Sequence, residues 1–528
     1  MRILLKNYGN KPVAGIFLSK LDFRPCLLPI LLIGCAAFIM NAAFAENLTA
    51  PPAASLAFTS RDTVVINALK LFQDGKFKAA EALLRHQDKS ANAESLRARQ
   101  EAVEVIERTR YEYSLDEAGL LAKVRKDIPD VSKKEVGQWA AESNARFKII
   151  DGKKMYFRRE PQNIYLFSEE AKRRRLAAGI YHPDPKWDLV GHLKEVVEEA
   201  DRTSRVEVQP VVHRVDYSLT IASNAPGVHA GSSLRVWLPF PQEYRQQRDI
   251  KLISASPEPK LIAPPAIEGD PVGGGAQRTV YFEQTVTDPR KPIEFKIAFE
   301  YTSYAYFPRL EEKEVQPLPA GSMSSFLAER PPHIVFTAAL RRQVADLVGT
   351  ETNSLVKARK IFRWVSRNVP WNAEDEYSII PSFSAKGFTS RRGDCGIQNT
   401  VFITMCRIAG VPARWQSGYE TKPGKDWGMH DWAEIYLAPW GWLPADASYG
   451  VQKSDDPRIA DFYCGHQDSY RMIVNLDWGR ELFPPKNSLR SDPSDFQRGE
   501  VEVDGKNLYY DHWDSKMEVD RHLMVNRP

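Results

Sequence analysis

Between Arg61 and about Thr109 apolar residues recur every three to four positions, the period of helices that bury one stripe. The stretch "ALKLFQDGKFKAAEALLRH" divides at Asp74-Gly75 into two such helices. Two more are expected over "SLDEAGLLAKVRKDI" and from near Ser132, followed by a hairpin, "FKIIDGKKMYFRR", turning at Asp151-Gly152. A further helix is expected around Trp187–Ala200. From Val206 to about Tyr306 the period drops to two. "HRVDYSLTIA", "SLRVWLPFP", "RTVYFEQTV" and "PIEFKIAFEYTSYAY" read as strands, interrupted by a Gly/Pro-rich loop at 264–277. Five or more strands without helices predict a β-sandwich. Helical period returns at "FTAALRRQVADLVG" and "SLVKARKIFRWVSRNV", and the last expected strand is "GEVEVDGKNLYYD".

A chain of 528 residues with these changes of period is multidomain α+β. The expected order is a leader at 1–45, a linker at 46–60 and a helical region at 61–204 with a compact module at about 114–160. A β-sandwich at 205–310, a linker at 311–334, an α+β core at 335–480 and a C-terminal extension at 481–528 follow. The helix pair around Asp74-Gly75 resembles one tetratricopeptide unit, but no second copy follows to build a solenoid. The module at 114–160 resembles a winged helix and is expected to serve packing.

The leader combines five Lys/Arg with an apolar run, Pro25–Ala45, ending in Ala43-Phe44-Ala45, the pattern of a secretory signal. The expected location is therefore secreted or periplasmic. A membrane anchor is the alternative, through an uncleaved leader or lipidation at Cys35 in "LIGC". With the leader's five bases and one acid set aside, the chain's 72 bases and 68 acids fall to 67 of each. A neutral mature chain offers no electrostatic support for nucleic-acid binding. No phosphate-cradling Gly motif appears, so no nucleotide cofactor is expected. Cys464, His466 and His430 could together ligate a metal, but no tight spacing such as C-x-x-C or H-E-x-x-H exists, so neither a metal nor another cofactor is expected.

Three cysteines remain after the leader: Cys395, Cys406 and Cys464. "RRGDCGIQNTVFITMCRIAGVPARW" (391–415) places the first two in one apolar helix that starts after Gly393-Asp394 and stops at Gly410. Eleven residues of helix separate them by ~16 Å, and a disulfide needs Cα atoms within ~7 Å. Cys406, mid-helix, reads as core. Cys395 lies on the first turn, where free N–H groups and the helix dipole favour a thiolate. Asp394 opposes this unless its charge is spent on capping. Downstream, "GMHDWAEIYLAPWGWLPADASYG" offers His430 and Asp446 on successive strands, a base and an orienting acid for a thiol nucleophile.

These two stretches together resemble the transglutaminase-like superfamily: G-x-C opening a helix, G-[IV]-P-A-R, H-x-W and G-W-x-x-x-D occur in order over about 335–480. The resemblance implies a papain-like/transglutaminase-like core with Cys395, His430 and Asp446 as the triad. It also implies an oxyanion hole made of the Cys395 N–H and one upstream donor, with Trp371 and Tyr377 as candidates. Hairpin arithmetic is less accommodating. If Leu437 pairs with Trp442, His430 lies three positions from the residue facing Asp446, ~10 Å along the strand and on the other face. A bulge is then required.

The expected function is a thiol enzyme acting on amide or peptide bonds through an acyl-enzyme, with hydrolysis favoured over acyl transfer. The alternatives are protein-glutamine cross-linking and a non-catalytic binding module. The expected partner is a protein or peptide, cell-wall peptide among them. Cys464 and His466 are read as a wall of the active cleft, and Arg414 and Arg471 as carboxylate binders or buried structural pairs.

Overall fold

The structure, a computed structural model, describes residues 56–86, 91–183, 187–266, 275–424 and 428–523. The leader, its cleavage site and Cys35 lie outside these residues. Leu56–Thr59 forms one helical turn inside the expected linker.

Helices Thr63–Gln73 and Phe77–Arg85 are joined at Asp74-Gly75, where Gly75 adopts φ +79°. A side chain there would collide with the Ile149 carbonyl, so the position requires glycine. Both helices bury Val65, Ala68, Phe77, Ala80 and Leu84 against the long helix Ala93–Glu112. Ser132 and Glu135 form a capping box that starts helix Lys133–Glu142. Strands β1 (Phe147–Ile150) and β2 (Lys153–Tyr156) pair across Asp151-Gly152, both with positive φ as a type I′ turn demands. The chain then runs through short helices to Leu189–Thr203.

The strand region contains β3 (Glu207–Ile221), β4 (Ser233–Pro239), β5 (Gln247–Ser256), β6 (Leu261–Ile262), β7 (Thr279–Thr285) and β8 (Ile293–Tyr306). They divide between two antiparallel sheets whose inner faces share one apolar core, including Val215, Leu219, Val236, Phe282, Phe295 and Phe299.

Four helices, Ala338–Val348, Ser354–Asn368, Phe383–Ser390 and Cys395–Ile408, precede a third sheet. That sheet holds β9 (Ala413–Glu420), β10 (Gly428–Leu437), β11 (Gly441–Ala445) and β12 (Arg471–Asn475) in the order β11-β10-β9-β12. Helix Cys395–Ile408 is buried nearly all round, its polar Gln398, Asn399, Thr400, Thr404 and Arg407 included. It packs Val401, Phe402, Met405 and Cys406 against Ala433 and Ile435 of β10.

Residues 481–523 are not a separate extension. Strands β13 (Glu500–Val503) and β14 (Lys506–Asn507) join the sheet of β4 in the order β14-β13-β4-β7-β6. The last strand, β15 (Trp513–Leu523), pairs along the length of β3 in the sheet β15-β3-β8-β5. The C-terminus thus closes the two sheets begun 300 residues earlier. β15 carries charges on alternate positions with Trp513, Met517 and Val519 buried between them, the period-two pattern of a half-buried strand, which the reading of "GEVEVDGKNLYYD" as the last strand passed over.

Cys406 is fully buried among these apolar side chains. Cys406→Ala is expected to lower unfolding free energy by about 1 kcal/mol, the scale of a small core truncation, measured by urea denaturation. Turnover of the folded variant should match wild type; complete loss would contradict a purely packing role.

Candidate active site

The start of helix Cys395–Ile408 sets one side of the site. Asp394 is its N-cap, extended at φ −75° and ψ −173°, and accepts the Ile397 N–H at 3.1 Å. Gly393 and Gly396 flank this turn for steric reasons. A side chain at 393 would run into Ile397, and one at 396 into the Tyr377 hydroxyl and the Trp415 ring. Cys395 follows the cap, half-buried, with its first-turn N–H free of any intrahelical acceptor.

The hairpin β10–β11 supplies the other side, and its register differs from the expected one. Leu437 pairs with Gly441, not Trp442, and Ala433 with Ala445. Gly441, at φ +83°, closes a loop one residue shorter than anticipated. A one-residue slip moves every side chain to the other face. Asp446 now follows opposite Trp432, two positions from His430 and on the same face. The contact forms without a bulge: His430 Nε2 lies 2.7 Å from Asp446 Oδ2.

Asp446 is buried and held on both oxygens. Oδ1 accepts from Ser448 Oγ at 2.6 Å, the Ser448 N–H at 3.1 Å and Asn399 Nδ2 at 3.3 Å. Oδ2 meets the guanidinium of Arg471 at 3.1 Å as well as His430. Burial pushes this carboxyl up, but His430, Arg471 and Ser448 outweigh it and hold it below the usual carboxylate range. Asn399, one helical turn after Cys395, also donates to the Asp431 carbonyl at 2.9 Å and accepts the Ala447 N–H at 2.9 Å. One amide thereby ties the Cys395 helix to both strands.

The thiol of Cys395 makes its hydrogen bond to Asp431 Oδ2 at 3.5 Å, the residue after His430. Burial, then Asp431 and Asp394, push this thiol well above its ordinary pKa. Capping therefore does not remove the influence of Asp394. The Tyr377 hydroxyl is bonded to Asp394 at 2.9 Å and Asp431 at 3.0 Å, because its loop lies across the helix N-terminus. Trp371 is 40% exposed at the rim of the cleft.

These groups line a cleft of about 580 Å³ that includes Trp371, Tyr377, Cys395, His430, Asp431 and Tyr449. The module at 114–160 forms part of its scaffold, a role sequence reading did not assign. Arg146 pairs with Glu374 at 2.8 Å, Arg159 binds the Glu374 carbonyl, and Arg158 spans Glu112 and Glu376. Together they clamp the loop that carries Tyr377. From the C-terminal segment, Gln497 Nε2 donates to the His430 carbonyl at 3.0 Å and to Asp431 Oδ1 at 2.9 Å. No local motif marks Gln497.

Cys464 and His466 do not wall this cleft. Cys464 is buried in the core, and both His466 ring nitrogens face backbone carbonyls, of Phe462 at 3.0 Å and Pro308 at 2.9 Å. His466 borders a different cleft, with Arg359 and Arg458. Arg414 is a buried structural partner of Glu434 at 2.6 Å, whereas Arg471 serves the site through Asp446. Among the described residues no group of three or more His, Cys, Asp or Glu is arranged to hold a metal ion.

Residues 341–447, which hold the Cys395 helix and the His430–Asp446 pair, match the family model of the transglutaminase-like superfamily. An uncharacterised protein of Haemophilus influenzae is 24% identical over 33% of this chain; the chain spans 60% of that relative's length. Two solved structures are similar. A candidate cysteine protease from Cytophaga hutchinsonii has 15% identity and a TM-score of 0.39, covering 61% of this chain and 93% of its own. The periplasmic domain of TgpA from Pseudomonas aeruginosa has 14% identity and a TM-score of 0.23, covering 47% and 90%. Among the described residues no helix is long and apolar enough to cross a membrane.

Proposed function

We propose that this chain is a secreted or periplasmic thiol enzyme that cleaves amide or peptide bonds through an acyl-enzyme. The observation that carries the reading is the His430–Asp446 bond, 2.7 Å long, in the cleft lined by Cys395. Asp446 accepts the Nε2–H of His430, which leaves Nδ1 as the base that takes the thiol proton. The sulfur attacks the carbonyl carbon, and the oxyanion meets the Cys395 N–H and Trp371. His430 then protonates the leaving amine, and water releases the acyl group. Transfer to an amine instead would make the enzyme a cross-linking acyltransferase. Export rests on the leader pattern at 1–45. The shared core of the two sheets supports reading them as a β-sandwich domain beside the catalytic core.

A thiol-reactive amide-mimic probe is expected to label the wild type at Cys395 and to give no signal with Cys395→Ala. Labelling that persists in Cys395→Ala would sink the reading. Mass spectrometry of cell-wall peptide and protein mixtures after incubation identifies the reaction. Shortened peptides mean hydrolysis, a one-dalton gain on Gln means deamidation, and mass addition means transfer.

A further inference from the structure

The hydrogens around Cys395 do not add up if both nearby carboxyls are ionised. The Tyr377 hydroxyl lies 2.9 Å from Asp394 Oδ1 and 3.0 Å from Asp431 Oδ2, and Asp431 Oδ2 lies 3.5 Å from the Cys395 sulfur. Three contacts in series need three hydrogens. The phenol and the thiol supply one each, and an ionised carboxylate supplies none. The third hydrogen must therefore sit on Asp394 or Asp431.

The surroundings favour such a proton. Asp431 Oδ1 already accepts from Gln497 at 2.9 Å, and among the described residues no ion pair reaches Asp431. Asp394 from the helix and Asp492 and Asp495 from the C-terminal segment add negative charge around it, and Arg498 of that segment lies in the same cleft, paired with Glu376 at 3.2 Å. His430, next on its own strand, is turned toward Asp446. The cations acting on Asp394 are Lys386 and Arg159. Burial and then Asp394 raise the Asp431 carboxyl well above the usual range, and burial raises Asp394 as well.

We propose that Asp431 is a positioning residue that sets the charge of the Cys395 sulfur, using one carboxyl proton stored along Asp394–Tyr377–Asp431. Although Asp431 has the stronger pull for a proton, the thiol needs an acceptor at Asp431 Oδ2, so at rest the proton sits on Asp394: its O–H donates to the Tyr377 oxygen, and the Tyr377 O–H and the thiol both donate to Asp431 Oδ2. A carboxylate at that position holds the thiol and repels a thiolate. When the sulfur gives its proton to His430, the stored proton shifts by two hops. Asp394 passes one to the Tyr377 oxygen, and Tyr377 passes its own to Asp431 Oδ2. Asp431 becomes neutral and donates an O–H to the new thiolate. No proton is gained or lost: one moves from sulfur to nitrogen, and one from carboxyl to carboxyl. This deepens the reading of Cys395 as nucleophile. Its tests report on the thiol and the carboxyls directly, so they fail separately from a failure to find turnover.

The test is the pH dependence of Cys395 alkylation by iodoacetamide in the full chain, followed by peptide mass spectrometry. Asp431→Asn removes the repelling charge, so the midpoint should fall by about one pH unit, about tenfold faster alkylation at neutral pH. Tyr377→Phe breaks the relay and should move the midpoint up. Infrared difference spectra at neutral pH supply a second readout. Wild type minus Asp394→Asn should contain the carbonyl band of one protonated carboxylic acid. Asn caps a helix as well as Asp does, so this variant is expected to fold even where Asp431→Asn does not. Opposite midpoint shifts together with the lost acid band support the relay. Shifts in the same direction, an unmoved midpoint, or a difference spectrum without an acid band overturn it.

Discussion

Asp446→Asn is expected to lower kcat by about 10³–10⁴ while the protein stays folded, the scale of the equivalent change in a Ser-His-Asp triad. The reason lies in which way the new amide must point. Asp446 Oδ1 is surrounded by donors: Ser448 Oγ at 2.6 Å, the Ser448 N–H at 3.1 Å and Asn399 Nδ2 at 3.3 Å. An asparagine would keep its oxygen there. Its NH₂ would then face His430 Nε2 and the Arg471 guanidinium, which touch Oδ2 at 2.7 and 3.1 Å. His430 Nε2 would have to accept, and its one proton would move to Nδ1, the nitrogen needed as base. Arg471 would lose its carboxylate as well. The measurement is steady-state kinetics on whichever amide substrate the mass spectrometry identifies, with circular dichroism to confirm the fold. KM should change little, because the loss falls on the chemical step. A decrease smaller than tenfold would show that Asp446 does not orient the base.

Glu434→Gln carries the largest expected cost in stability, about 3–5 kcal/mol, the range for breaking one side of a buried ion pair. Glu434 is fully buried and stands directly opposite Arg414 across β9 and β10. Its Oε2 meets Arg414 at 2.6 Å. Its Oε1 accepts from Tyr244 at 2.7 Å and faces Arg245 at 3.2 Å. The last two residues belong to the segment between β4 and β5, so this carboxylate joins the catalytic sheet to the two-sheet unit. Neutralising it leaves the buried Arg414 guanidinium without its counter-charge. The check is the urea midpoint of the variant against wild type. Replacing both partners, Arg414→Met with Glu434→Leu, should recover a large part of the loss, because neither charge is then left unpaired. A single variant that loses less than 1 kcal/mol would contradict this account.

The site was partly legible in the chain. Cys395 stands out because Gly393-Asp394 ends a turn and a largely apolar run follows, which predicts a buried helix with the cysteine at its start. His430 and Asp446 stand out as the right chemical types at the ends of two short strands. Their contact was not legible. A shift of one residue in the hairpin register reverses which face each side chain occupies, and nothing local distinguishes a Leu437–Gly441 pairing from a Leu437–Trp442 one except where the loop glycine can take positive φ. Tyr377 was noticed only as a candidate oxyanion donor. Its actual partners, Asp394 and Asp431, are known only once the loop is laid across the helix end.

Periodicity within this chain determined its local elements and the buried helix, because each depends on residues within a turn or two of one another, whereas the choice of Cys395, His430 and Asp446 came from their residue types and from the family resemblance. Contacts between distant segments determined the rest. β15 finds its place in the sheet beside β3, Gln497 reaches His430 from 67 positions along the chain, and Arg146, Arg158 and Arg159 hold the loop that seats Tyr377. Each of those residues is an ordinary polar side chain until folding removes water from around it, and only then does its choice of partner matter.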